Sequence, residues 1–418
     1  MGAQADAGRD VVIVGGGIAG ASLAAALAGA GLAVEVLEAT ERFEDRVRGE
    51  SMMPWGLAEA AGLGVAGALL AAGAHVAPVW RRYSEGSSEP REIPVGCLVP
   101  GAGGTLNLAH PVACQALLDQ AEAAGATVQR GVRRVSVTLG AAGPELGFDD
   151  RLGRRIERRP ALVAGADGRA SAVRRTAGIG LESAETTDYV AGLLLEGVAG
   201  PSSGGEPPAD VMAEHAHGLC LLTRQGGGRA RAYHVVPPAL RLRYAGAGGP
   251  QRFIADLAGA GVDELAAAVA RARPAGPCAA FPGTDTWADT PYADGVVLVG
   301  DAAGHSDPAI GCGLSIALRD VRLVRDLVLA GARTAADFAP YGDERRERMR
   351  RLRLVARLVI SAAVDPAGDR SARRRRLAEA SAAFDPTLFP LLLAMFAGPE
   401  TIPAELVDDG VIDHLRAA

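Results

Sequence analysis

Short apolar runs broken by glycine, several of them followed by an alanine- and leucine-rich stretch of helical period, predict a mixed α/β fold. The run Val11-Val12-Ile13-Val14 reads as a fully buried parallel strand, and a glycine-rich turn and a helix over 21–31 follow it. A second strand spans Leu32 to Glu38. A further buried strand runs from Asp294 to Val299, and the segment Ile316 to Leu329 carries the spacing of a helix. A hairpin pattern governs the middle of the chain. Leu219 to Thr223 and Arg229 to Val236 flank Arg224-Gln225-Gly226-Gly227-Gly228, a hairpin signal. There Arg231, Tyr233 and Val235 share one face while Ala232, His234 and Val236 share the other, and the pattern leaves open which face turns toward a ligand. Pro201 to Pro208 is a loop rich in glycine, serine and proline, and residues 346–418 read as an arginine-rich helix followed by further helical pieces.

The first glycine cluster carries chemistry. Gly15, Gly17 and Gly20 fit GxGxxG between a strand and a helix, and Glu38 ends the next strand. In a dinucleotide site the first glycine makes the tight turn, the second lets a pyrophosphate approach, and the third lets helix and strand pack closely. Ile18 and Ala19 then open the helix whose amino terminus faces the phosphates, and Glu38 is placed to accept from ribose hydroxyls. No second strand-GxGxxG-helix unit follows, because Pro100 to Gly104 lacks that context.

Composition narrows the reaction classes. The chain has 418 residues and no lysine, so all 43 basic residues are arginine. That excludes a pyridoxal-phosphate Schiff base, a Walker-type phosphate loop and a protein kinase, each of which needs a lysine amine. The net charge of −6 gives no electrostatic case for nucleic acid as a partner. The arginine clusters at Glu344 to Arg357 and Arg373 to Arg376 are read as solvated helix faces. Five scattered cysteines form no metal-ligand spacing, no metal is expected, and a reducing cytoplasm is the default. Neither a secretion signal nor an apolar run long enough to span a membrane is expected.

Three further segments identify a family. Gly300-Asp301 ends the late strand, and Pro308, Gly311, Gly313, Leu314 and Ser315 lead into the next helix. Asp167-Gly168 follows the apolar run Leu162 to Ala166, with Arg174 downstream, and Arg46-Val47-Arg48-Gly49-Glu50 follows the second strand. Together with GxGxxG, these resemble the GD, DG and arginine segments of the class A FAD-dependent monooxygenases, the para-hydroxybenzoate hydroxylase-like family. The resemblance covers residues 10 to about 345 and implies a Rossmann-like FAD-binding domain with an inserted mixed β-sheet substrate domain and a C-terminal helical segment. The implied boundaries are 1–75, 105–178 and 279–345 for the flavin domain, 76–104 and 179–278 for the sheet domain, and 346–418 for the helical region.

By the same resemblance, Asp301 holds a ribityl hydroxyl, the helix after Gly313 presents its amino terminus to the flavin pyrimidine, Arg48 reaches FAD, and the Pro308 carbonyl faces the reacting substrate. His305 and Asp307 flank that proline as candidates for proton transfer. NADH or NADPH is the implied transient reductant, and O2 yields a C4a-hydroperoxyflavin that hydroxylates or epoxidises a hydrophobic aromatic, polyketide or terpenoid molecule. Aromatic residues make up only 4% of the chain. Candidate pocket residues are therefore few: Tyr83, Arg231, Tyr233 and His234, with Trp55, Phe281 and Trp287 more often core than pocket. His110 opens a helix where many relatives have arginine, and Cys312, between the loop glycines, is read as a small passive thiol. Competing readings are an oxygen-independent flavin reductase or oxidase of the same fold, a flavin-binding redox sensor resting on Cys312, and a flavin halogenase. The last is disfavoured because such enzymes use a lysine and a Trp-x-Trp-x-Ile-Pro segment, and here Trp55, Trp80 and Trp287 are far apart. A monomer or homodimer is expected, and the lysine-free, alanine- and arginine-rich composition is associated with GC-rich bacteria and specialised metabolism.

Overall fold

The structure is a computed structural model that describes residues 10–45, 47, 49–200, 209–365, 369–407 and 410. Arg48, the loop Pro201 to Pro208 and residues 411–418 lie outside the described residues.

Val11–Val14 is the centre of a six-stranded sheet, parallel to Leu162–Gly165 on one side and to Val34–Glu38 on the other. Val296–Leu298 and Thr127–Arg130 extend it in the same direction, and Tyr292–Ala293 closes one edge antiparallel. The period of two along the first strand divides the core. Val11 and Ile13 face a layer that includes helices Ile18–Gly29, His110–Ala123 and Gly313–Leu329, while Val12 and Val14 face Val137, Leu146 and Phe148 of a three-stranded antiparallel sheet. Both faces are covered, which is why this strand reads as a continuous apolar run.

A second, mixed sheet of eight strands lies on the other side of the molecule. Its order runs Arg273–Pro274, Asp188–Glu196, Arg229–Val236, Gly218–Gly226, Ala209–His215, Val79–Tyr83, Arg91–Ile93, and Ala279–Gly283 also pairs with Asp188–Glu196. The hairpin forms as its turn signal predicts, with positive φ at Gly226, Gly227 and Gly228. Ala279–Gly283, which the family layout gives to the flavin domain, belongs to this sheet instead because it completes the edge along 188–192.

One face of the eight-stranded sheet is closed by helices Gly249–Ala258 and Asp263–Val269, which bury Phe253, Leu257 and Leu265 completely. At about 1.5–3 kcal/mol for each fully buried large apolar side chain, these three residues alone hold that layer firmly. The opposite face meets Ala309, Ile310 and the C-terminal helices Ala339–Ala363, Arg370–Ala383 and Phe389–Ala397.

The arginine clusters correct the solvated-face expectation in part: Arg346, Arg350 and Arg375 are exposed, but others are not. Arg345, Arg348, Arg373 and Arg374 are all at most 3% exposed. Arg345 and Arg348 grip Asp320, and Arg373 and Arg374 donate to the last carbonyls of the long helix, Ser361, Ala362 and Ala363. The flat guanidinium caps carbonyls that a helix terminus leaves without intrahelical partners. The long helix also runs unbroken through residue 346, where the sequence layout set a boundary.

Candidate cofactor site

The first turn after the central strand is built for close approach. Gly15 sits at φ +102°, and a Cβ there would run into the Ala166 carbonyl; on Gly20 it would run into the Gly15 carbonyl. Gly17 differs. It caps the helix Ile18–Gly29 with nothing within 4 Å of a Cβ position, so the helix amino terminus opens on free space. Ile18 is buried and Ala19 partly buried beneath it. Glu38 accepts from the Gly16 amide at 2.7 Å and from the Thr40 amide and hydroxyl at 2.8 and 2.7 Å, which fixes its carboxylate beside the turn.

A second amino terminus opens nearby. Gly313 starts the helix Gly313–Leu329, again with nothing within 4 Å of a Cβ position. A Cβ on Gly300 would lie 3.3 Å from that of Ala19 and 3.5 Å from that of Ala317. The Gly300-Asp301 turn is therefore wedged between the starts of two helices, and the Asp301 side chain remains 37% exposed. Gly311 supplies the left-handed turn at φ +63° before the second helix. Ser315 points its hydroxyl against Gly56 of the helix Pro54–Gly62, so only its backbone faces the opening, and Leu314 is half-buried.

Other sequence-derived candidates have structural work. Both Asp167 carboxylate oxygens cap the short helix Ala172–Thr176, accepting from the Ser171 hydroxyl and from the Ala172 and Val173 amides, while Gly168 makes the turn at φ +75°. Arg174 is buried and donates to the Ala302 and Arg169 carbonyls, tying the 167–174 segment to the Gly300–Ala303 turn rather than facing a phosphate. The Pro308 carbonyl accepts from the Gly311 amide at 3.0 Å. His305 exchanges hydrogen bonds with Thr286, 2.7 Å from its Nδ1, and burial together with Arg169 lowers its pKa to about 4, so the ring is neutral at pH 7. His110 contacts Cys114 at 3.4 Å.

The four pocket candidates separate by face. Tyr83 and His234 lie on the side covered by the two outer helices: Tyr83 donates to Glu264, and His234 packs between His215, Tyr244 and Phe253. These two are corrected, because period-two alternation turns them toward the outer helices. Arg231 and Tyr233 face inward. Arg231 is fully buried and donates to Asp45 and Glu50 at 2.6–2.8 Å, anchoring the loop after the second strand. Burial pushes the Glu50 carboxyl upward and Arg231 pulls it back. Within that loop Val47 is buried at φ +53°, and a Cβ on Gly192 would strike it, so the glycine lets the loop reach the sheet. Burial raises Tyr233 well above the ordinary phenol range.

Sequence reasoning missed Asp188 and Asp285. Asp188 opens the strand Asp188–Glu196, is fully inaccessible, accepts from the Thr187 hydroxyl, and lies close enough to Asp307 for the two carboxyls to repel. Burial first, then repulsion from Asp307, raises it to about 9, so it holds a proton at neutral pH. Asp285 accepts from the Asp307 amide at 3.0 Å, and Asp307 accepts from the Ala309 amide at 2.8 Å. The only available signal was a carboxylate at the head of an otherwise apolar strand. Cys312 is buried against the Ile310 and Met395 carbonyls, and burial pushes its thiol up to about 12, which suits a passive role. Among the described residues no cluster of three metal-ligating side chains forms and no helix is long and apolar enough to cross a membrane.

FAD fits what is present: two unobstructed helix amino termini for its diphosphate and its electron-rich ring edge, an exposed aspartate between them, and a carboxylate at the end of the second strand. Solved structures share the fold. A mutant of a flavin-dependent brominase is 17% identical, with a TM-score of 0.77 over 98% of this chain and 100% of its own. The myxobacterial chondrochloren halogenase is 16% identical with a TM-score of 0.75, covering 98% and 97% of the two chains. The p-nitrophenol 4-monooxygenase of Pseudomonas putida DLL-E4 is 18% identical with a TM-score of 0.75, covering 94% and 98%. No curated protein sequence matches. The family profile described as "FAD binding domain" matches residues 9–354, and with most of its length so matched, the chain belongs to that FAD-binding family.

Proposed function

We propose that the protein is an FAD-dependent, NAD(P)H-consuming monooxygenase that places one oxygen atom from O2 into a hydrophobic small molecule. The observation that carries the reading is the convergence of the two helix starts on the Gly300-Asp301 turn, in a chain without a single lysine. The lysine count separates it from halogenation, which the halogenases among the similar structures bring to mind and whose hypohalous acid is relayed by an amine. When bound, FAD supplies the electron and oxygen chemistry, and the protein's task is to hold, orient and dry the site.

In this reading the proposed flavin domain binds the diphosphate at Gly15, Gly17, Ile18 and Ala19, the ribose at Glu38 and the ribityl chain at Asp301. The backbone at Gly313 to Ser315 favours negative charge on the pyrimidine edge. The inward sheet face contributes Val190, Leu219, Tyr233 and Val235, opposed by Ala309 and Ile310, an apolar surface that suits a hydrophobic substrate and excludes water. His305 is a neutral hydrogen-bonding group there, and Asp188 holds a proton at its carboxyl beside Asp307. The test follows NADH and NADPH oxidation by the FAD-loaded protein against phenols, polyketides and terpenoids under labelled O2. Substrate-stimulated oxidation with one labelled atom in the product is expected; label arriving only from water overturns the reading.

A further inference from the structure

A pocket of about 250 Å³ opens between Trp287 and the helix Ala339–Ala363, next to the Gly300–His305 turn, to which its lining residues Ala288 and Arg345 donate hydrogen bonds. Arg345, Arg346, Arg350 and Arg353 line it, with Asp289 as its one carboxylate. Three of these arginines are engaged: Arg345 with Asp320 and the Gly304 carbonyl, Arg346 with Asp343, and Arg350 with Glu347. Arg353 is different. Its guanidinium stacks 4.5 Å over the Trp287 ring, its Nη1 is buried, and among the described residues that nitrogen has no hydrogen-bond partner. Burial disfavours its charge, Asp285 and Asp289 attract it from a distance, and Arg345 and Arg357 repel it.

A half-buried guanidinium that lines a pocket and has no ion pair among the described residues is costly in free energy, and the cost falls when an anion enters that pocket. The stacked indole fixes the guanidinium plane, so its fork is pre-organised for a tetrahedral oxyanion. Whole small-molecule sites occupy about 300–1,000 Å³, so this pocket has room for one group of a ligand and not for an entire dinucleotide. We infer that it is a phosphate-binding site in which Arg353, held on Trp287, receives one phosphate of a small molecule whose remainder lies outside. Two sources carry that chemistry: the nicotinamide reductant, for which the sequence has no second strand-GxGxxG-helix unit, or a phosphorylated substrate. The first source rests on the monooxygenase reading; the site itself does not.

Calorimetric titration of the FAD-loaded protein with inorganic pyrophosphate tests the site, since the bound flavin already fills the other phosphate cradle. Wild-type protein is expected to bind and Arg353→Gln to bind about tenfold more weakly or less, the loss of one hydrogen bond to a charged group. Trp287→Leu, which keeps the cation and removes its platform, is expected to weaken binding about two- to fivefold. No binding to wild type, or equal binding to all three proteins, overturns the proposal. If Arg353→Gln fails to hold flavin, Trp287→Leu decides alone.

Anaerobic flavin reduction then distinguishes the sources. A raised apparent Kd for NADPH or NADH in Arg353→Gln at an unchanged limiting rate, with pyrophosphate competing in wild type, assigns the reductant. Unchanged reduction beside lost pyrophosphate binding assigns a phosphorylated substrate. If neither nucleotide reduces the flavin, the monooxygenase reading fails while the titration still decides the site.

Discussion

Asp188 shows how a single residue can be set by position. It begins a strand whose following residues are nearly all buried, so its carboxyl lies in the core against Asp307, and the cheaper solution is to keep a proton. With a folded-state pKa of about 9 against 3.8 unfolded, the native state binds the extra proton across that window. The stability this contributes is complete below the unfolded value and is lost as pH rises through about 9. Asp188→Asn keeps the shape and supplies a permanent donor to Asp307. Its denaturation midpoint is therefore expected to fall less steeply than wild type between pH 7 and 9.5, and parallel curves would remove the protonated pair. The sequence held no periodicity from which to find this residue, since burial of a carboxylate breaks the pattern that normally reveals a core. Gly15, Gly17 and Gly20 were legible for the opposite reason: their spacing within six residues is itself the signal, even though the carbonyl that excludes a side chain at Gly15 belongs to the distant Ala166.

At the scale of elements, the helices Gly313–Leu329 and Ala339–Ala363 are joined most tightly through one buried carboxylate, with the Arg319–Glu344 pair and the Arg348 bond to the Ile316 carbonyl beside it. Asp320 accepts from Arg348 at 2.6 Å, from Arg345 at 3.1 Å and from the Gly300 amide at 2.9 Å, with all three side chains almost wholly buried. Glu344 also serves Arg348 but is itself a third exposed. Asp320→Ala leaves two buried guanidinium groups short of an anion, a loss of about 3–5 kcal/mol when one partner of a buried pair is removed. Chemical denaturation measures it, and a change under 1 kcal/mol would show that Glu344 compensates. The same variant frees the Gly300 amide, so weaker FAD retention is expected beside the lower stability. An arginine-rich helix and a solvated one have the same local composition. What distinguishes them here is the partner, Asp320, supplied by a helix some 25 residues earlier.

The whole molecule depends on contacts that span the chain. Arg374 donates to the Ala362 and Ala363 carbonyls of the long helix, to the His215 and Gly218 carbonyls of the eight-stranded sheet, and to Glu85. Those partners lie up to 289 residues away, which is why the local family motifs could be read from sequence while the docking of the C-terminal helices could not. The same docking closes the apolar layer that holds Trp55, Cys312, Leu391 and Phe396, and the Met395 carbonyl receives the Trp55 indole N–H at 3.2 Å. Undocking those helices would wet the flavin loop from behind. Replacing Arg374 by Met removes the five contacts and keeps much of the apolar stem. The expectation is a local effect: amide exchange accelerates by about tenfold or more in Arg370–Ala383 and Phe389–Ala397 while the helix Ile18–Gly29 keeps its protection, because the flavin-side core shares none of these hydrogen bonds. Uniform acceleration across all three helices would instead mean that the C-terminal layer unfolds only together with the nucleotide-binding sheet, making the molecule one cooperative unit.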